Sequence, residues 1–502
     1  MGMNSCICNK RQLPPQFYNK SHRNLYTGLH DMDLILASQS STRQRILSCA
    51  RIIAKAVSPQ IDEENITRSL MAEKAMPRDI ADTLAEHKAK KVSIKNPLSW
   101  VLGCDQVLDF EGKVFGKPKT QEDLRQSLIR LSGETHRLIT ANVMYHNTKP
   151  MWRHISVSHM TMHPMTVTEI ETYVEKSWPD AQHSAGGYYF EKTPHLFSEV
   201  RGNWFDIMGL SIGPIAEYLN QHVNGSVFNA PTVAAVLGHP IAHSKSPCMH
   251  GHWLETNKIS GSYIAIDIPP GKLFQTVKVL IGAGVMGFNV TLPHKEDALA
   301  LADYQTPRAK AIGAANTLVV DLKGSITADN TDGYGFITNL KVNSSDWFPQ
   351  AGSALVLGAG GASRAVLSSL IEAGAPKIYL SNRTLQRAKD VALQLSPLIE
   401  VIDWEDKERY LSTVTTVVNT TSLGMTGKPP LEIDLSSINP KAMVTDLVYT
   451  PLETPFLVQA RSFGCSVVGG VGMLLHQGTP GFEAWFGTCP IVDSEVEALV
   501  LK

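Results

Sequence analysis

The stretch from Leu355 to Arg364, Leu-Val-Leu-Gly-Ala-Gly-Gly-Ala-Ser-Arg, is an apolar run that breaks into glycines and resumes with Ala365, Leu367 and Leu370 at helical spacing. The pattern predicts a strand, a tight turn and a helix, and so an α/β fold. A turn built on Gly358, Ala359, Gly360, Gly361 and Ala362 lets backbone N–H groups approach a pyrophosphate, and the helix N-terminus behind it adds partial positive charge. Alone, such a turn serves equally well as a plain connection. The next strand, ending at Ser381, adds the discriminating feature. Where a NAD-binding unit offers an acid to the ribose 2′-hydroxyl, this sequence places Asn382, Arg383, Thr384 and, one turn on, Arg387. A guanidinium fork suits a 2′-phosphate, so the cofactor expected is NADP. The competing explanation of Arg383 is an ordinary solvated charge.

A chain of 502 residues is too long for one ordinary domain and predicts about three. With a net charge of -1 and no long run of like charge, nothing advertises a nucleic-acid or membrane surface. No apolar segment reaches the roughly 18 residues a membrane-spanning helix needs. Seven scattered cysteines fit free thiols in a reducing compartment, so a cytoplasmic location is expected. Residues 1–31 carry Lys10, Arg11, Lys20 and Arg23 without apolar periodicity, which predicts a disordered extension, and Met32 is an alternative start.

In the first half, Leu34 to Arg45 runs from a buried-type strand through hydroxyl residues into a helix with two arginines. Such a turn can hold phosphate, or simply cap the helix. Glu63, Lys88, Asp105 and Lys117 then recur at turns and strand ends. Carboxylates for a hard divalent ion, with lysines and an arginine for phosphate oxygens, suit cleavage of a nucleoside triphosphate.

These residues resemble the Maf-like nucleoside triphosphate pyrophosphatases across Ser38, Ser40 and Arg43, Asp62-Glu63, Lys88, Asp105, Gly116-Lys117-Pro118, Ser132-Gly133 with His136, Tyr173-Val174, Ala185 to Tyr188, and Gly209-Leu210. The resemblance implies hydrolysis to a nucleoside monophosphate and pyrophosphate. It makes Asp105 the acid-base residue, Glu63 and Asp105 the holders of a divalent cation, Mg2+ in the first instance, and Ser40, Arg43, Glu63, Lys88, Lys117 and Glu191 the nucleotide site. Gln106 and Glu191 stand where many members carry Thr and Gln, which points to the branch acting on 7-methyl-GTP. A carboxylate facing a cationic base is complementary in charge.

Residues 220–231 are polar, with Gly, Ser and Pro, and predict a linker. Beyond it, Ser244 and Ser246, Asn289 to Lys295, Asn316 and Asp332 all fall at predicted strand ends or loops, where open α/β sheets bind ligands. Reducing a ketone by hydride requires a proton donor, and Lys295 beside Asp332 can supply and orient one.

This half resembles shikimate dehydrogenase from Pro231 to the end. The match runs through Ser244-Lys-Ser246-Pro, Asn289-Val-Thr291-Leu-Pro-His-Lys295, Gly313-Ala-Ala-Asn316, Asn330-Thr-Asp332-Gly, the glycine turn, Asn419 to Met425, Asp446 to Thr454, and Gly469 to Gln477. It implies NADP-dependent interconversion of 3-dehydroshikimate and shikimate, with quinate as a second substrate to consider. Lys295 and Asp332 would be catalytic. Ser244, Ser246, Thr291, Asn316, Asp332, Tyr449 and Gln477 would hold shikimate, and Gly470 would join the cofactor site.

The organisation expected is therefore an extension (1–31), a Maf-like mixed α/β domain (32–222), a linker (223–230) and a two-domain dehydrogenase. The dehydrogenase comprises a substrate domain (231–335), a Rossmann domain (336–470) and a C-terminal helix (471–502) packing back on the substrate domain. The partners expected are small molecules, with a homodimer left open. The rival arrangement makes the first half a silent nucleotide-binding module regulating an active dehydrogenase. Each resemblance is complete on its own side of the linker, so the halves are expected to separate near Gly225.

Overall fold

The computed structural model describes residues 33–222 and 227–502; the expected extension and residues 223–226 of the expected linker lie outside the described residues. The chain forms two compact units. One holds the described residues up to Ala242 together with Leu254–Met286, and the other holds His243–Trp253 and Gly287–Lys502. The division therefore does not coincide with the linker.

The first unit is built on a seven-stranded mixed sheet. Leu34–Leu36 lies parallel to Lys55–Ala56 and to Trp100–Phe110, from which Thr135–His146, Lys149–Met162 and Phe197–Arg201 follow as antiparallel neighbours. The long helix Pro77–Lys95 buries Ile80, Ala81, Leu84, Ala85, Ala89 and Val92, apolar positions at helical spacing that pack with Val101, Ile139, Ala141 and Val143 of the central strands. The same helix face buries Lys88. This unit also contains Thr232–Gly238 paired parallel with Gly261–Asp267, and the helix Leu273–Gly282.

The second unit contains a parallel sheet in the order Ile399–Ile402, Ile378–Ser381, Ala354–Leu357, Thr416–Asn419, Met443–Asp446, Ser466–Val468. This is the doubly wound order of a dinucleotide-binding domain. Its central strands are buried at every position, as strands covered on both faces must be. Beside it, Val285–Val290 pairs through Gly287, Phe288 and Asn289 with antiparallel Thr317–Val320, which pairs in turn with Ile326–Asp329. The helix Pro307–Ile312 shows how locally this region is specified. Thr306 caps it, Pro307 occupies its first turn, and Gly313 ends it with a φ of 76°.

Two expectations need correction. The helix Asp332–Asn343 runs through the expected boundary at 335/336, because the turn that carries Asp332 is also its first turn. Residues 471–502 form three helices, Val471–His476, Gly478–Phe486 and Ser494–Leu501, rather than one. Gln477 lies between the first two, and the left-handed Gly487 stops the second. Trp485 Nε1 donates to Leu318 O at 3.1 Å, and Trp253 Nε1 donates to Ile491 O at 3.0 Å.

Candidate active sites

In the first unit a cavity of about 640 Å³ is lined by Ser40, Arg43, Glu63, Lys88, Lys117 and Glu191, the full set expected to hold a nucleotide, and by Asp105. The helix Ser41–Cys49 begins where Ser40 Oγ accepts from Arg43 N, and Arg43 Nε donates to Gly209 O at 3.0 Å. The arginine is thus braced across the cavity wall by a residue 166 positions away.

Lys88 Nζ donates to Asp105 Oδ1 at 2.5 Å and lies 2.9 Å from Glu63 Oε1. Burial pulls the lysine down, but the adjacent Asp105 and Glu63 carboxylates outweigh it and hold Lys88 above its ordinary value. Burial pushes the Asp105 carboxyl up, against Lys88 and Arg43. Lysine and aspartate ordinarily titrate about 6 units apart, so the lysine keeps the proton. Among the described residues no group of three or more His, Cys, Asp and Glu converges. Glu63 and Asp105 are both cavity carboxylates, each paired with Lys88.

Gln106 lines the cavity, but its Nε2 donates to Thr140 Oγ1, Asp206 O and Ile207 O at 2.9, 2.9 and 3.0 Å. Its amide nitrogen shapes the wall. Burial pushes Glu191 up, with Arg45 pulling the other way. His136 Nε2 lies 2.6 Å from the hydroxyl of Tyr188, a cavity residue. Burial holds His136 down at about 4, so this imidazole is neutral and supports the tyrosine without adding charge.

In the second unit, Lys295 Nζ donates to Asp332 Oδ2 at 2.6 Å, and Asn316 Nδ2 donates to Asp332 Oδ1 at 2.7 Å and to Gln477 Oε1 at 3.4 Å. Three expected substrate-binding residues, Asn316, Asp332 and Gln477, are thereby joined to the expected catalytic Lys295. Asn316 Oδ1 accepts from Thr331 N and Thr317 Oγ1, both at 2.9 Å, while Thr331 Oγ1 donates to Gln477 O at 2.8 Å. Ser244 and Ser246 sit half-buried at the start of Ser246–Thr256, with Ser246 N donating to Ser244 Oγ at 3.3 Å. Thr291 O accepts from His294 N one turn before Lys295, and Tyr449 is 40% exposed. Neither side chain forms part of the joined cluster.

A clamp absent from the expected set supports the turn that carries Asp332. Asp329 Oδ1 accepts from Thr306 Oγ1 at 2.7 Å, from Arg308 Nε at 2.7 Å and from Asn330 N at 2.8 Å, and Arg308 also bonds Oδ2. Asn330 Oδ1 then accepts from Asp332 N at 3.1 Å. In sequence these are isolated charges 21 residues apart; an arginine in a Pro-started helix gives no sign of its partner.

At the glycine turn, Gly358 has a φ of 106°, and a Cβ there would stand 2.7 Å from Thr420 Oγ1. Only glycine is comfortable in that position. A Cβ on Gly360 or Gly361 would meet nothing within 4 Å, and the helix Gly361–Glu372 has no side-chain cap. Its first N–H groups are therefore available to an anion, so the turn fits a pyrophosphate. Asn382 Oδ1 accepts from Ala359 N at 3.1 Å and its Nδ2 donates to Thr384 O at 2.9 Å. Its amide holds the turn in shape, while Arg383, Thr384 and Arg387 are exposed at the strand end. Gly470 permits close backbone approach, since a Cβ there would lie 2.3 Å from Leu447 O.

Residues 33–222 match the Maf-like protein family, 236–318 the shikimate dehydrogenase substrate binding domain, and 347–425 the shikimate / quinate 5-dehydrogenase family. Over 269 residues the chain is 51% identical to shikimate dehydrogenase (NADP(+)) of Paracoccus denitrificans, covering 54% of this chain and 95% of that protein. It is 50% identical over 273 residues to shikimate dehydrogenase (NADP(+)) of Rhodospirillum rubrum, covering 54% and 96%. Among solved structures it is similar to a quinate dehydrogenase from Corynebacterium glutamicum in complex with NAD, with 28% identity and a TM-score of 0.51, covering 54% of this chain and 99% of that one. No helix among the described residues is long and apolar enough to cross a membrane.

Proposed function

We propose, on the premise that this chain belongs to the shikimate dehydrogenase family and carries a Maf-like domain ahead of it, that it has two activities. The second half interconverts 3-dehydroshikimate and shikimate with NADP. The first half hydrolyses a nucleoside triphosphate to the monophosphate and pyrophosphate.

The joining of Lys295, Asp332 and Asn316 carries the dehydrogenase assignment. NADP, when bound, supplies or accepts the hydride. Lys295 Nζ gives a proton to the developing alkoxide during reduction and takes it back during oxidation. Asp332 fixes the direction of that ammonium, and Asn316 and Gln477 take the neighbouring hydroxyls. The uncapped helix start at Gly361 receives the pyrophosphate, and Arg383 takes the 2′-phosphate.

In the first half, Arg43, Lys88 and Lys117 neutralise phosphate oxygens, and Asp105, pushed up by burial, takes a proton from the attacking water. A divalent ion, when bound, withdraws charge from the departing pyrophosphate, and Glu63 and Asp105 would hold it. Glu191, half-buried in the same cavity, gains a partner from a cationic base, which favours 7-methyl-GTP. Retention of all these groups supports an enzyme over a silent module.

The test uses the intact chain in two assays. One follows NADPH formation with shikimate and with quinate, and NAD as the competing cofactor. The other follows pyrophosphate release with Mg2+ across 7-methyl-GTP, GTP, dTTP and UTP. NADP-linked shikimate oxidation with no pyrophosphate release from any triphosphate would leave the regulatory-module arrangement standing.

A further inference from the structure

The first sheet ends in Phe197–Arg201, which among the described residues pairs along one side, with Lys149–Met162. An edge strand presents free N–H and C=O groups to any other chain, and proteins cover, shorten or charge such edges. Here the cover comes from beyond the linker. Gln275, on the helix Leu273–Gly282, donates through Nε2 to Phe197 O at 3.1 Å and to His163 Nδ1 at 3.2 Å. Two turns further along the helix, Gly202 N donates to Gly282 O at 3.2 Å. A Cβ on Gly282 would lie 2.1 Å from Val200 O, so the helix end meets the strand backbone more closely than any side chain permits. Gln275 and Gly282 are seven residues apart, which puts them on one stripe of the helix. Both are suited to an edge: an amide that bonds a free carbonyl, and a glycine that admits one.

We infer that the helix Leu273–Gly282 is built to close the open edge of the Maf-like sheet, so that the partner this edge fits is the chain's own dehydrogenase half. The halves are then not independent at the linker. The pyrophosphatase fold finishes its sheet with residues that belong, by sequence, to the other enzyme. This runs against the separability expected near Gly225.

Hydrogen exchange of the full chain, followed by mass spectrometry, tests it without reference to either activity. In the native chain, Phe197–Arg201 and Gly202 are expected to exchange slowly, as an interior strand does. Gly282→Val forces the helix end off Val200 and should raise exchange in residues 197–203 about tenfold or more, while Ala354–Leu357 keeps its protection. Gln275→Ala, which removes two bonds and adds no bulk, should raise it in the same segment by a smaller factor. If Gly282→Val unfolds the unit wholesale, Gln275→Ala decides. A rise confined to residues 197–203 supports edge closure. Native-like exchange there in Gln275→Ala, or rapid exchange there in the unaltered chain, overturns it.

Discussion

Arg308→Ala should lower the thermal midpoint of the dehydrogenase half by about 6–12 °C. Arg308 and Asp329 are 23% and 8% exposed, and the guanidinium supplies donors to both Asp329 oxygens. Breaking a buried ion pair by removing one partner costs about 3–5 kcal/mol, chiefly for the charge left uncompensated. Thr306 Oγ1 and Asn330 N continue to serve Asp329 Oδ1, which favours the lower end, about 3 kcal/mol. At about 2–4 °C per kcal/mol for a unit of this size, the range follows. Turnover should fall as well, by about ten- to a hundredfold, because the turn bearing Asp332 loses its anchor and small misplacements are costly. The assay is a thermal scan beside steady-state shikimate oxidation. Burial pushes Asp329 up, but its bonds to Arg308 outweigh this and hold it below the ordinary carboxylate value. The pair's contribution is therefore present above about pH 4 and is lost as pH falls through the lower, folded value. The deficit of Arg308→Ala should be constant from pH 6 to 8 and shrink on acidification. Adding Asp329→Asn to Arg308→Ala should restore part of the midpoint, since no unpaired charge remains buried. A shift under 2 °C, or no recovery in the double variant, would refute the assignment of a paired, buried charge.

Lys295→Ala should reduce dehydrogenase turnover by about 10²-fold or more while leaving NADP affinity nearly unchanged; near-normal turnover removes Lys295 from proton transfer. Arg383→Asp should move cofactor preference from NADP toward NAD, read as the ratio of kcat/KM for the two, and an unaltered ratio excludes the guanidinium as the 2′-phosphate partner. Asp105→Asn should abolish pyrophosphate release and leave shikimate oxidation intact; hydrolysis at the native rate transfers the acid-base role to Glu63.

The glycine turn, the doubly wound domain and the polar clusters at strand ends are legible in sequence because each is a local pattern. Gly358 must adopt a positive φ, and an apolar strand must precede it. The cavity residues Ser40, Arg43, Glu63, Lys88, Lys117 and Glu191 are legible as chemistry, since their types match a polyphosphate. That Lys88 would stand between Glu63 and Asp105 is not, because it depends on which face of the helix Pro77–Lys95 is buried. The Arg308–Asp329 clamp and the Gln275 and Gly282 contacts are illegible for a related reason. Each joins residues whose proximity exists only after sheets have formed, and neither a lone arginine nor a helical glycine carries a local signal of its partner. Asn382 shows the converse: its type suits a cofactor contact, but the turn uses both ends of its amide.

The helices Asp332–Asn343 and Val471–His476 meet at a glycine of each, Gly335 and Gly472. A Cβ on Gly335 would fall 2.6 Å from Met473 O, and one on Gly472 would fall 1.9 Å from Asn339 Oδ1. Seams cushioned by leucines can slide by a rotamer, whereas backbone against backbone cannot. Asp332 opens the first helix and Gln477 follows the second, so the gap between that carboxylate and that amide is gauged by the close approach of the two helices rather than by padding. The pair behaves as a fixed-jaw caliper, and any ligand of this site must come to its width.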